Sequence, residues 1–204
     1  MGKPLIKRAA YSAGAVKCSF WFQEFRIMVT LLSQRKTLSD IKQMNIDDNI
    51  FSAPTAARAS QIFNTVSLRA LSLSACFYDS FQNHDVASQK LIALISVMNT
   101  DGLFFEFMYE VYREKLIIGD DRLHDSDIRI FFGNKQLQDE RVAKWQDCTL
   151  KRLGVFYKSC LTESGVAVRN DGGLTMIKPV LDADLVDLLL NNDMRRFVAA
   201  LTGV

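Results

Sequence analysis

The chain has 204 residues, 49% of them hydrophobic and 24% charged, with a formal net charge of +2; this balance suits one large globular domain or two small ones and argues against a fibrous or disordered chain. The charge is uneven, with eight basic residues against two acidic over residues 1–42, four against ten over 79–127 and nine against five over 128–178, so a polyanion would meet favourable potential at both ends. The longest uncharged apolar run, Leu91 to Met98, is eight residues against about 20 for a bilayer span, and the basic N-terminus lacks the continuous apolar core of a signal peptide, so no membrane is expected. Cys18, Cys76, Cys148 and Cys160 contain no C-x-x-C pair, and only His84 and His124 could join them. Metal-ligand spacing is therefore absent, no cofactor is implied, and free cysteines of this kind fit a reducing cytoplasm.

In chain order, Phe20 to Gln34 reads as an amphipathic helix with Trp21, Phe25, Met28, Val29 and Leu32 inward, ended by Arg35-Lys36 at the negative pole of its dipole. Thr37-Leu38-Ser39-Asp40 resembles a capping box, opening a short helix whose inner face is Leu38, Ile41 and Met44. After an irregular Asn45–Ala53, Pro54 is expected in the first turn of a helix reaching about Leu73. Its inner face is Ala59, Ile62, Phe63, Val66, Ala70 and Leu73, leaving Gln61 and Asn64 outward and Arg58 and Arg69 at the margin. As a loose helix-turn-helix, this pair would offer Gln61 and Asn64 to adenine edges and Arg58 to guanine or phosphate. The linker of about nine residues is long for a tight turn and favours an ordinary three-helix bundle.

Asp85–Asn99 and Gly102–Ile118 read as two helices meeting at Thr100-Asp101, with the highest apolar density in the chain, and should form the central core. Glu106, Glu110 and Glu114, at i, i+4 and i+8, are the one constellation that could pass for the Mg²⁺ ligands of a nuclease. A solvated face flanked by Arg113 and Lys115 is the commoner explanation. Nothing else assembles a nucleophile, base and oxyanion donor, nor a glycine-rich phosphate loop, and no small-molecule substrate is implied.

From Leu123 to Val180 the order is a short helix, a longer basic helix and a β-hairpin, which is that of a winged helix-turn-helix. Asp125 can cap a helix with Ile128, Phe131 and Phe132 inward, and Gly133-Asn134 then break it. The second helix is expected from near Leu137 to about Thr162, burying Val142, Trp145, Thr149, Leu153, Phe156, Tyr157 and Cys160, with Trp145 as an anchor. Lys144, Lys151 and Lys158, spaced by seven, then form an outer ridge. Gly165 stops the helix, and Val166–Arg169 and Leu174–Lys178 are strand-like runs joined by Asn170-Asp171-Gly172-Gly173. In such modules the second helix faces the major groove and a basic wing tip lies near phosphates or the minor groove. The predicted contacts are Arg141, Lys144, Lys151, Arg152, Lys158, Arg169 and Lys178, with Arg58, Gln61 and Asn64 as a second set. Winged helices also serve as protein-interaction modules, and a helix with lysines outside is often only a solvated surface. Asp182–Asn191 and Met194–Leu201 read as closing helices beneath the wing.

Several strings add a family resemblance. Tyr11-Ser12-Ala13-Gly14, Glu24-Phe25-Arg26, Ser88-Gln89-Lys90-Leu91-Ile92, Thr100-Asp101-Gly102-Leu103-Phe104-Phe105-Glu106-Phe107-Met108, Arg113-Glu114-Lys115-Leu116, Val142-Ala143-Lys144-Trp145 and Thr149-Leu150-Lys151-Arg152-Leu153 are similar to the BrxA family of bacteriophage exclusion (BREX) defence systems. The resemblance spans nearly the whole chain, and none of its strings is a catalytic signature. It implies a mostly helical cytoplasmic accessory protein of a multi-gene anti-phage system, with helix-turn-helix features and nucleic-acid binding. The expectation is a mainly α protein with an N-terminal helical lobe over residues 1–119 and a C-terminal winged-helix lobe over 120–204 carrying one β-hairpin. Its expected work is non-enzymatic binding of duplex DNA, with other BREX proteins as further partners. An adaptor for another defence protein and an RNA-binding protein are the alternatives.

Overall fold

The protein is described by a computed structural model covering residues 11–170 and 173–204. Lys3, Lys7 and Arg8 of the basic N-terminal run, and Asp171-Gly172 of the hairpin loop, lie outside the described residues. After a 3-10 turn over Gly14–Lys17, Trp21 adopts a left-handed conformation (φ 54) and turns the chain into α1, Phe22–Ser33, which buries Phe25, Met28 and Val29. α2, Leu38–Asp48, opens on the expected box. Thr37 Oγ1 accepts from the Asp40 N–H at 3.1 Å, and the Asp40 carboxylate accepts from the Thr37 N–H at 2.9 Å. Asn45–Asp48 are helical rather than irregular, because buried Asn45 donates through Nδ2 to the Ala59 carbonyl at 3.2 Å and ties the last turn of α2 to the next helix. That helix, α3, spans Ala56–Leu71 with Thr55 as its cap, so Pro54 precedes the cap instead of entering the first turn. The predicted inner face of α3 is buried. α4, Ala75–Phe81, has no counterpart in the sequence reading; it inserts Phe77 and Phe81 beneath α1, with the Phe81 ring edge-on to Phe25 at 6.0 Å.

α5, Val86–Thr100, is capped by Asp85 and buries every residue from Leu91 to Met98. Asp101 caps α6, Gly102–Phe107, which continues through a π segment, Met108–Tyr112, into α7, Arg113–Ile118. Among the described residues no single helix is long and apolar enough to cross a membrane, and the pair formed by α5 and α6–α7 is bent by 113°. Glu110 and Glu114 are exposed as a solvated face would require, but Glu106 does not share that face. Glu106 is buried, and the Lys135 ammonium, only 3% exposed, lies 2.6 Å from Glu106 and 2.7 Å from Glu110. The Tyr11 hydroxyl also donates to Glu106 at 2.6 Å. The π segment adds a residue's worth of rotation, and beyond it Glu114 pairs with Arg113 instead.

Gly119 (φ 76) ends α7, and β1, Arg122–Leu123, follows. α8, Asp125–Gln138, starts where the Asp127 carboxylate accepts from the His124 N–H at 2.8 Å, so Asp125 is the first helical residue and not the cap. Gly133-Asn134 does not break α8. A glycine inside a helix costs about 1 kcal/mol, and burial of Phe131, Phe132 and Lys135 around it outweighs that. The helix expected from Leu137 is instead split. Asp139 caps a single turn, α9, Glu140–Ala143, and α10 begins only at Asp147 and runs to Ser164, where Gly165 (φ 84) stops it. β2, Ala167–Asn170, and β3, Gly173–Met176, form the expected hairpin, and β1 joins it to give an antiparallel sheet of order β1-β3-β2, with Thr175 opposite both Arg122 and Val168. α11, Ala183–Asn191, is capped by Asp182, which also accepts from Ser88 Oγ at 2.8 Å. α12, Arg195–Thr202, packs mainly on the π segment and α7 rather than beneath the hairpin, with the Phe197 ring 5.0 Å from Phe105.

The protein is therefore mainly α, with one small β-sheet among the described residues, and its buried hydrophobic side chains other than Val142 form one cluster running from Phe20 to Leu201. Lys135→Ala leaves the Glu106 carboxylate without its buried cation, and breaking a buried pair on one side costs about 3–5 kcal/mol. The double change Lys135→Met with Glu106→Gln is expected to recover most of that loss. Urea denaturation of the three proteins measures it, and a Lys135→Ala loss within about 0.5 kcal/mol, the range of ordinary surface substitutions, would contradict the role given to this pair.

Candidate nucleic-acid interface

The inner face of α10 determines what its outer face presents. Leu153, Phe156, Tyr157, Cys160 and Leu161 are buried, and burial pushes the Cys160 thiol far above its ordinary pKa, which suits a packing role and not a nucleophilic one. Lys151, Arg152 and Val155 are left exposed on the opposite side. α10 meets α8 at Gly154, where a Cβ would lie 3.1 Å from Ile128 Cγ2. A groove of about 500 Å³ opens between the two helices, with Ile128, Phe132, Leu150 and Val155 among its apolar lining and Arg129, Lys151 and Lys158 among its charged lining. A second cleft of about 400 Å³ lies towards the hairpin, lined by Asp125, Lys158, Arg169, Asn170, Gly173 and Leu174.

The lysine ridge of the sequence reading is not one helix face. Lys151 and Lys158 are on α10, whereas Lys144 is exposed in the turn after α9, because the chain leaves the helix between Ala143 and Asp147. Lys158 is bound to Asp125 at 2.8 Å. Trp145 lies in the same turn as Lys144 and is half-buried, so it is not a buried anchor, and Thr149 is half-buried as well. Val142 is buried as expected, but from α9. Arg141 is exposed on α9, Arg169 on β2, and Lys178 just beyond β3. Arg129 was missed by sequence reasoning. Its signal was its place four residues after Asp125, on the same side of a helix as the groove-facing Asp125 and Gly133.

The second predicted set is divided. Arg58 Nη1 donates to the Lys17 carbonyl at 3.2 Å and to Gln61 Oε1 at 2.8 Å, while Gln61 Nε2 donates to the same carbonyl at 2.7 Å. The Arg58 guanidinium also lies over the Trp21 ring at 4.8 Å. These two side chains hold the Lys17–Trp21 segment against α3, and Asn64 is exposed beside them. Arg69 is not marginal but buried, donating to the Phe20 and Ser19 carbonyls at 2.6 and 3.0 Å, and its burial lowers its pKa from the ordinary value. Among the described residues no three His, Cys, Asp or Glu side chains are grouped to hold a metal ion.

Comparison with known proteins agrees with this architecture. The family model for BrxA matches residues 9–193. A curated relative, the BREX protein BrxA of Bacillus cereus (strain H3081.97), is 34% identical over 183 residues, which is 90% of this chain and 92% of that protein. The chain belongs to the BrxA family. BrxA proteins are components of BREX phage-defence systems. The chain also shares its fold with an uncharacterized protein of Magnetospirillum magneticum known from a crystal structure, at a TM-score of 0.80 and 15% identity over 96% of this chain and 100% of the other.

The groove depends on the close approach at Gly154. Gly154→Val is expected to destabilise the fold by about 1–3 kcal/mol through overpacking against Ile128. Adding Ile128→Ala should give a double variant that loses less than the sum of the single losses. Thermal melting of the four proteins checks this, and strict additivity would contradict it.

Proposed function

We propose that this BrxA-family protein is a non-enzymatic duplex-DNA-binding component of its BREX system, holding DNA chiefly through phosphate contacts. The observation that carries this reading is the exposure of Lys151 and Arg152 on the outer face of α10, on the same lobe as the exposed hairpin residues Arg169 and Lys178. The order β1, α8, α9, α10, β2, β3, with β1 paired to β3, suits a winged helix-turn-helix within residues 120–204. In that reading α10 lies in or along the major groove and the hairpin is the wing. Arg141, Lys144, Lys158 and Arg129 extend the basic surface around it. Arg58 and Gln61 carry less weight because their polar groups are already engaged, and Asn64 is the member of that set still available to a base edge. The non-enzymatic part of the reading is supported by Glu106 and Glu110, whose carboxylates are spent on Lys135 and are poorly placed to hold Mg²⁺.

A second reading, an adaptor for another BREX protein, is favoured by Ile130, Leu137 and Val155, which are 62%, 88% and 63% exposed on the same lobe.

A titration of labelled duplex at several salt concentrations tests the first reading. Neutralising about four phosphates gives a log–log salt slope near −3.6, at roughly −0.9 per contact. Changing Lys151, Arg152 and Arg169 together to Ala should weaken binding and flatten that slope by up to about 0.9 per lost contact, with the fold intact, since exposed substitutions shift stability by about ±0.5 kcal/mol each. Normal binding by the triple variant, or no binding of the unaltered chain at low salt, would overturn the reading. In the second case, retention of a BREX partner would favour the adaptor.

A further inference from the structure

Asp125 and Lys158 are shared by the two clefts that flank α10. The groove towards α8 brings Arg129 to the pair, and the cleft towards the hairpin brings Arg169. The Asp125 carboxylate accepts from Lys158 Nζ at 2.8 Å, yet the Asp125 side chain is 70% exposed while Lys158 is 24% exposed. A solvent-facing carboxylate therefore lies among cations from three separate elements, α8, α10 and β2. Its pKa is held below the ordinary carboxylate range, first by the hydrogen bond from Lys158 and then by the charges of Lys158, Arg129 and Arg169. An exposed ion pair adds little to stability, so the fold alone gives weak reason to gather three cations here. A phosphodiester is also a compact oxyanion that accepts charge-assisted N–H bonds, and it would be stabilised by the same three groups.

Building on the DNA-binding reading, we infer that Arg129, Lys158 and Arg169 form a backbone-phosphate site and that Asp125 is its built-in competitor, displaced when a phosphate docks. An isolated phosphate must then remove Asp125 with no other contact to offset the exchange. A duplex that also engages Lys151 and Arg152 gains those contacts as well. The carboxylate thus suppresses loose binding of small phosphates and favours ligands that span the surface.

The experiment is a fluorescence-anisotropy titration of the full chain with a labelled random-sequence duplex, comparing Asp125→Asn, Glu140→Gln, Lys158→Ala and the double change Asp125→Asn with Lys158→Ala. Glu140→Gln removes the same charge from the exposed face of α9 and controls for net charge. Asp125→Asn is expected to tighten binding about threefold to fivefold beyond Glu140→Gln and to steepen the salt slope by up to about 0.9. That gain should shrink when Lys158 is absent. Melting curves run alongside keep loss of fold apart from loss of contact. Equal effects of Asp125→Asn and Glu140→Gln, or a gain undiminished without Lys158, would overturn the competitor role while leaving DNA binding in place. Failure of both the unaltered chain and Asp125→Asn to bind duplex would overturn the DNA-binding reading and this site together.

Discussion

Tyr157 is the side chain about which the C-terminal half is organised. Its ring lies 4.9 Å from Phe104, 5.1 Å from Phe107, 5.5 Å from Phe132 and 6.2 Å from Phe156, so one residue of α10 is packed simultaneously on α6 and α8. Ring pairs at such spacings each add about 0.5–1.5 kcal/mol beyond the area they bury. The phenol is wholly enclosed, and desolvation holds its pKa well above the ordinary value. With Tyr157 inward, Leu153 and Cys160 must follow it into the core, and Lys151, Arg152 and Val155 must face out. The basic surface is therefore the reverse side of an aromatic cluster. A change in that cluster would disturb the surface without touching any charged residue.

Lys135 adds a second tie between α8 and α6. A lysine with 3% exposure would be costly without anions, and Glu106 and Glu110 supply them across the helix interface. Because such a pair tolerates few arrangements, it fixes the rotation of α8 against the π segment. The same glutamates that resemble a metal site in the sequence are consumed in joining the two halves of the chain.

Much of the helical framework was legible because its signals are local. The Thr37–Asp40 box, the inner face of α3, the Gly165 stop and the hairpin each depend on residues within a few positions of one another. The failures came from two causes. At Gly133-Asn134 a breaker was overridden by burial on both sides, whereas at Asp139 a real break was hidden inside a continuing helical period. An aspartate whose carboxylate can cap the next turn was the available signal there. The burial of Lys135 and the pairing of β1 with β3 depend on partners distant in sequence, which no local period reports. For the candidate site, the residue types were legible but their grouping was not. Splitting the long helix moved Lys144 off α10, while Arg129 joined the surface from the neighbouring helix.

Function in this account follows from which side of α10 the aromatic cluster leaves exposed. The most direct measurement is amide hydrogen exchange of the full chain with and without a random-sequence duplex at low salt. The account predicts protection concentrated in α10 from Asp147 to Lys158 and in the hairpin strands Ala167–Asn170 and Gly173–Met176. Protection confined to α3 around Asn64, or none anywhere under conditions where the duplex is bound, would contradict it.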